Sequence, residues 1–155
     1  MNGTKIHVSL DVNNLEQSVQ FYSTLFQTVP TKVKPGYAKF DLDEPSINLT
    51  MVETKVDGVN GLNHMGWRVS SLDQVIAAKM RLEQAGYVTS DEMGVTCCYA
   101  VQDKIWATDP TGYRWEVYIF KGDAELMGPP DVEACASPCC RSEHSAISTQ
   151  HSVAD

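Results

Sequence analysis

Residues 63–70 read Asn63-His64-Met65-Gly66-Trp67-Arg68-Val69-Ser70, and their alternation decides the fold. Met65, Trp67 and Val69 face one side of an extended chain, while His64, Gly66 and Arg68 face the other. Ser71 and Asp73 then open a helix through Val75, Ala78, Met80, Leu82 and Ala85, which Gly86 stops. Strands are predicted over 95–99, 104–108 and 114–120. The same order occurs upstream. In Lys5–Asp11 the residues Ile6, Val8 and Leu10, followed by Val12, oppose His7, Ser9 and Asp11. Asn13 or Asn14 caps a helix with Leu15, Val19, Tyr22 and Phe26 at helical spacing. After Pro30 and a Lys34-Pro35-Gly36 turn, Tyr37–Leu42 and Ile47–Val52 read as strands. A repeated supersecondary unit is a fold-level signal. It predicts an α+β domain over 1–122, made of two βαβββ modules (about 4–53 and 61–121) that form a curled mixed sheet.

His7 and His64 occupy the same place in the two copies. In the last strand Arg114, Glu116 and Tyr118 oppose Trp115, Val117 and Ile119. His7, His64 and Glu116 therefore all lie opposite the more apolar row of their strand, and they converge in the cleft if those rows pack under the helices. Two imidazoles and a carboxylate on one side of an ion form the facial triad of O2-activating Fe(II) centres, and they suit Zn²⁺ equally. Arg68 and Arg114, also on the cleft faces, either set charge near such an ion or pair with neighbouring acids.

Just upstream, Asp109-Pro110-Thr111-Gly112 is a turn that joins two strands as a hairpin. Ahead of it stand adjacent thiols, Cys97 and Cys98. Neighbours on a regular strand face opposite sides, so both can grip one atom only where the strand is distorted, for instance by Gly94. Taken alone, the pair reads as one buried and one exposed cysteine. Tyr99 to Lys104 read as a short exposed loop. Its Tyr99, Gln102 and Lys104 serve either as a lid over the cleft or as an ordinary hairpin connection.

The 155 residues are 43% hydrophobic and carry a net charge of −8, with a pI near 4.9. This length supports one packed domain, and the charge argues against nucleic acid and anionic membrane surfaces as partners. With no apolar run behind Met1 and no long apolar segment, a cytoplasmic protein is expected, either a monomer or a homodimer. Its five cysteines then read as free, metal-binding or catalytic rather than as a disulfide framework. Residues 123–155 hold Pro129-Pro130 and no aromatics and read as a flexible tail. The tail spacing of Cys135, Cys139, Cys140 and His144 matches no standard zinc pattern.

The two modules, with Cys97-Cys98-Tyr99 and then Asp109-Pro110-Thr111-Gly112-Tyr113-Arg114-Trp115-Glu116-Val117, resemble the vicinal oxygen chelate superfamily. That group includes glyoxalases, extradiol dioxygenases and fosfomycin-resistance proteins. The cysteine pair is similar to that of its ArsI-type carbon–arsenic lyases. The resemblance covers about residues 4–121. It implies a non-haem Fe(II) enzyme that uses O2 to strip the organic group, methyl or aryl, from a trivalent organoarsenical. It also implies His7, His64 and Glu116 as metal ligands, with Cys97 and Cys98 holding arsenic. Glyoxalase-type members carry a fourth protein ligand on the last strand of the first module. Here Ser46–Val52 has neither carboxylate nor histidine, which leaves metal positions open. The rival expectations are an extradiol-type dioxygenase or thiol transferase on the same fold, and a non-catalytic protein that sequesters cadmium or arsenic.

Overall fold

A computed structural model describes residues 4–55, 61–97 and 99–125, with Cys97 described by its backbone. Strand β1 (Lys5–Val12) is followed by α1 (Leu15–Phe26), β2 (Lys32–Lys34), β3 (Tyr37–Leu42) and β4 (Ile47–Glu53). The second module repeats this order with β5 (Gly61–Arg68), α2 (Leu72–Gln84), β6 (Thr89–Cys97), β7 (Ala100–Thr108) and β8 (Arg114–Asp123). All eight strands form one mixed sheet in the order β2-β3-β4-β1-β5-β8-β7-β6. Each module thus places its first strand beside its last, and the modules meet where β1 and β5 pair antiparallel. The cleft is completed within one chain.

Local chemistry accounts for the helices. The Asn14 side chain accepts from the Gln17 amide and caps α1, and Ser71 does the same for α2 through Gln74. Leu15, Val19, Tyr22 and Phe26 pack with Val8, Leu10 and Val12 onto Ala38, Phe40, Leu49 and Met51. In the second module Val75, Ala78 and Leu82 pack with Trp67, Val117 and Ile119 around Val69 and Ile105. Met80, expected on that face, is exposed, because residues 75, 78 and 82 already fill the stripe.

The Asp109 turn forms as expected. Its carboxylate accepts from the Thr111 and Tyr113 amides, and Gly112 adopts a φ of 102°. The bend expected near Gly94 is also present. Its φ is 64°, the β6–β7 register shifts between Glu92 and Val95, and its amide donates to Asp103 at 2.6 Å. The expected loop over 99–104 is not a loop. β7 begins at Ala100, which pairs with Cys97, so Gln102 and Lys104 are strand residues, both buried. Lys32 pairs with Asp123 and donates to the Tyr99 carbonyl, so the β2 edge touches the opposite side of the sheet and curls it.

Candidate metal centre

Because β1 lies between β4 and β5, and β8 beside β5, alternation brings three polar side chains to one spot. His7 Nε2 lies 3.2 Å from His64 Nε2, and Glu116 Oε1 lies 3.6 and 3.8 Å from the two nitrogens. All three residues are at least 95% buried. Gly66 separates them. It pairs with His7 on one side and Glu116 on the other. A Cβ there would stand 2.8 Å from Glu116 Cγ and 3.2 Å from His7 Cβ, so a bare backbone is what lets the two side chains meet.

The outer ring nitrogens are committed elsewhere. His7 Nδ1 donates to the Asn48 carbonyl at 3.0 Å and to Asn48 Oδ1 at 2.9 Å. His64 Nδ1 donates to Asn63 Oδ1 at 2.7 Å, and that amide is oriented by donating from Nδ2 to Asp11 Oδ2 at 2.8 Å. Asn63 reaches both because it is the extra residue of a bulge: Ser9 pairs with His64, but Leu10 pairs with Leu62. With each proton on Nδ1, both Nε2 lone pairs face each other and the carboxylate. Three converging lone pairs repel unless a cation lies among them. Donors bound about 2.1 Å from one ion fall roughly 3–3.5 Å apart, so the set fits a divalent metal.

Charge is arranged to the same end. Lys104 Nζ donates to Glu116 Oε2 at 2.8 Å and leaves Oε1 for the imidazoles. Burial opposes the Glu116 charge, yet the Lys104 ammonium beside it holds its carboxyl well below the usual range. Burial lowers His7 to about 4, so it stays neutral near pH 7 and its Nε2 remains a ligand. The site opens into a narrow cleft lined by Lys39, Thr50, Arg68, Gln102, Tyr118 and Phe120, among others. A larger apolar groove, about 550 Å³, lies beside α2 and the β7–β8 turn, but the three donors do not line it, so we assign the chemistry to the smaller cleft.

A family model described as the Glyoxalase/Bleomycin resistance protein/Dioxygenase superfamily matches residues 6–117. The chain belongs to this superfamily. A trivalent organoarsenical cleaving enzyme of Thermomonospora curvata is 44% identical over 87% of the chain and 89% of its own length. The cadmium-induced protein CadI of Mycobacterium tuberculosis is 42% identical over 88% and 93%. Among solved structures, homoprotocatechuate 2,3-dioxygenase of Brevibacterium fuscum superposes with a TM-score of 0.59 at 19% identity, over 79% of this chain and 39% of that one, a likeness of fold.

The repeat has a pseudo-twofold, and it can be read residue by residue. It maps His7 onto His64, Ser9 onto Gly66 and, through the pairs Ser9–Thr50 and Gly66–Glu116, Thr50 onto Glu116. A hydroxyl therefore stands where a fourth ligand would. Glu53, at that strand's end, instead accepts from the Leu15 amide at the start of α1. The fold also sorts the remaining expected residues. Lys104 is the partner of Glu116, not a lid. Gln102 lines the cleft, and Tyr99 packs against Tyr37 at 5.1 Å. Arg68 pairs with Asp41 at 3.0 Å, while Arg114 stacks 4.5 Å from the Trp106 ring. Cys98 and the tail residues Cys135, Cys139, Cys140, His144 and His151 lie outside the described residues, as does the Cys97 side chain. Sequence reasoning missed Asn48 and Asn63. Asn63 had a signal in its adjacency to His64, whereas Asn48 had none without the parallel β1–β4 pairing.

Proposed function

We propose that this protein cleaves the carbon–arsenic bond of trivalent organoarsenicals, methyl or aryl, and so serves in their detoxification. His7, His64 and Glu116 hold iron(II), dioxygen is the co-substrate, and Cys97 and Cys98 hold the arsenic. The reading is carried by three buried lone-pair donors converging in a chain 44% identical to a named trivalent organoarsenical cleaving enzyme. Iron(II) in such a site supplies open positions and electrons for dioxygen chemistry.

The chain's own residues do the rest. The two thiols displace both hydroxyls of R–As(OH)2. Two As–S bonds form, two As–O bonds break, and two waters leave. Cys97 pairs through its backbone with Ala100, which lines the cleft beside the three donors, and this supports delivery of the substrate to that point. Asn48 and Asn63 hold the imidazole protons on Nδ1, and Lys104 keeps Glu116 ionised. For a methyl substrate the atoms balance as CH3As(OH)2 + O2 giving As(OH)3 + CH2O. A pentavalent arsenical lacks the labile hydroxyls and lone pair that thiolates need, and stays inert until reduced.

The test is anaerobic loading with iron(II), addition of methylarsonous acid and then O2, and arsenic speciation by mass spectrometry alongside oxygen uptake. Many arsenite molecules per chain are expected, with turnover lost in Cys97→Ser. A second reading is stoichiometric capture of soft ions by the same thiols, in a chain 42% identical to a protein named for its induction by cadmium. Saturation at one equivalent without oxygen uptake would establish that reading and remove the first.

A further inference from the structure

The pseudo-twofold that leaves Thr50 opposite Glu116 also pairs their neighbours. Trp106 is the β7 partner of Glu116, and Lys39 is the β3 partner of Thr50. Where the second module supplies a ligand and an aromatic wall, the first therefore supplies a hydroxyl and an ammonium. Both line the same cleft as the three donors.

The cleft's other cations are satisfied. Lys104 is paired with Glu116 and Arg68 with Asp41. Lys39 has no ion pair among the described residues. Its ammonium lies 6.0 Å from the Phe120 ring centroid, a contact at the far limit of cation–π attraction. Burial and the nearby Lys32 disfavour its charge more than Asp41 and Asp123 favour it, so an anion in direct contact would be stabilising rather than redundant. Two further cleft-lining groups have no hydrogen-bond partner among the described residues. Thr50 Oγ1 is free to donate in a residue 3% exposed, and Gln102 Oε1 in one 8% exposed stands across the cleft. Buried polar atoms are normally hydrogen-bonded, so these mark where a ligand or its water sits. The row Lys39–Thr50–Ser9–His64 runs in register across the cleft floor, linking this polar patch directly to a metal-ligand position.

We infer that Lys39, with the Thr50 hydroxyl, is an anion-recognition site that selects substrates whose organic group bears a negative substituent such as a carboxylate. Applied to organoarsenicals, this rests on the carbon–arsenic reading above; the anion site itself does not. An acidic arylarsenical then has its arsenic on the thiols of the second module and its carboxylate at the ammonium of the first.

Two measurements test it. In the first, kcat/KM is compared for the trivalent para-carboxyphenyl and phenyl arsenicals in the wild type, Lys39→Met and Lys39→Arg. The preference for the carboxylated substrate should fall at least about tenfold in Lys39→Met, which keeps the aliphatic stem over Phe120, and recover in Lys39→Arg. A ratio within twofold of wild type overturns the proposal. In the second, metal-loaded wild-type and Lys39→Met proteins are titrated with benzoate and with the neutral isostere benzamide by calorimetry. Benzoate should bind the wild type more tightly, and the difference should vanish in the variant. Equal benzoate binding by both proteins overturns the proposal. If the wild type cleaves neither arsenical, the cleavage reading fails alone, and the benzoate titration still decides the role of Lys39.

Discussion

The ammonium of Lys104 and the carboxylate of Glu116 form an ion pair at 2.8 Å in which both side chains are nearly inaccessible to water. One carboxylate oxygen is thereby spent on the lysine, and the other is presented singly to the two imidazoles. Removing one partner of a buried pair costs roughly 3–5 kcal/mol, because the survivor is left uncompensated. Lys104→Met should accordingly destabilise the metal-free protein by about that amount. A bound divalent ion would supply the missing positive charge, so saturating metal should recover most of the loss. Urea unfolding with and without metal reads both, and an equal loss in the two states would contradict the arrangement.

Gly66 is the second point of leverage. In Gly66→Ala the new methyl would meet the root of the Glu116 side chain and His7 Cβ, neither of which is the free end of a flexible chain. The ligands must separate, and metal affinity should fall by at least about tenfold while the fold persists. Equilibrium dialysis against Zn²⁺ or Fe²⁺, with circular dichroism as the control, checks this. Unchanged affinity would mean that the ligands have slack that their packing does not show.

The two asparagines should differ in effect. Asn48→Ala leaves the backbone carbonyl at 3.0 Å to hold the His7 proton, whereas Asn63→Ala removes the only acceptor that His64 Nδ1 has among the described residues and strands Asp11. Loss of such a partner typically lowers metal affinity 10–100-fold. That range is expected for Asn63→Ala, with a smaller effect for Asn48→Ala. The reverse order would show that the bulge, and not its side chain, orients the imidazole.

Acid should weaken the metal-free protein in a defined window. His7 is held at about 4 against its ordinary 6.5, so between those values the unfolded chain takes up a proton that the folded chain refuses. Stability from this group is fully present above pH 6.5, is lost as the pH falls toward 4, and changes no further below it. The total is roughly 3 kcal/mol. Glu116, held below its ordinary value, acts in the same direction at more acid pH. Denaturation midpoints at pH 7, 5.5 and 4 should decline in that order, and a flat series would mean that the imidazole is not sequestered.

The modules, both helix caps, the turn at Asp109 and the three converging side chains were legible in the sequence, because each is written in short-range periodicity or local hydrogen bonding. Strand alternation places His7, His64 and Glu116 on one face whatever the strand order. What escaped depends on pairing between distant strands. β6 starts at Thr89, six residues before the expected Val95, because its polar residues 89–92 look like loop until β7 lies beside them. Lys104 read as a loop cation because a lysine is rarely buried, and only the cross-strand carboxylate makes its burial affordable. The bulge at Asn63 has no glycine or proline to announce it.

The pairing of Ser9 with Thr50 also limits how the centre could gain a ligand. If Thr50→Glu alone were introduced, the new carboxylate would meet the Ser9 side chain in the place where its twin, Glu116, meets only the bare backbone of Gly66. Conversion to a four-ligand centre therefore needs Ser9→Gly as well, and neither change helps alone. The double variant should grip Zn²⁺ more tightly than either single one.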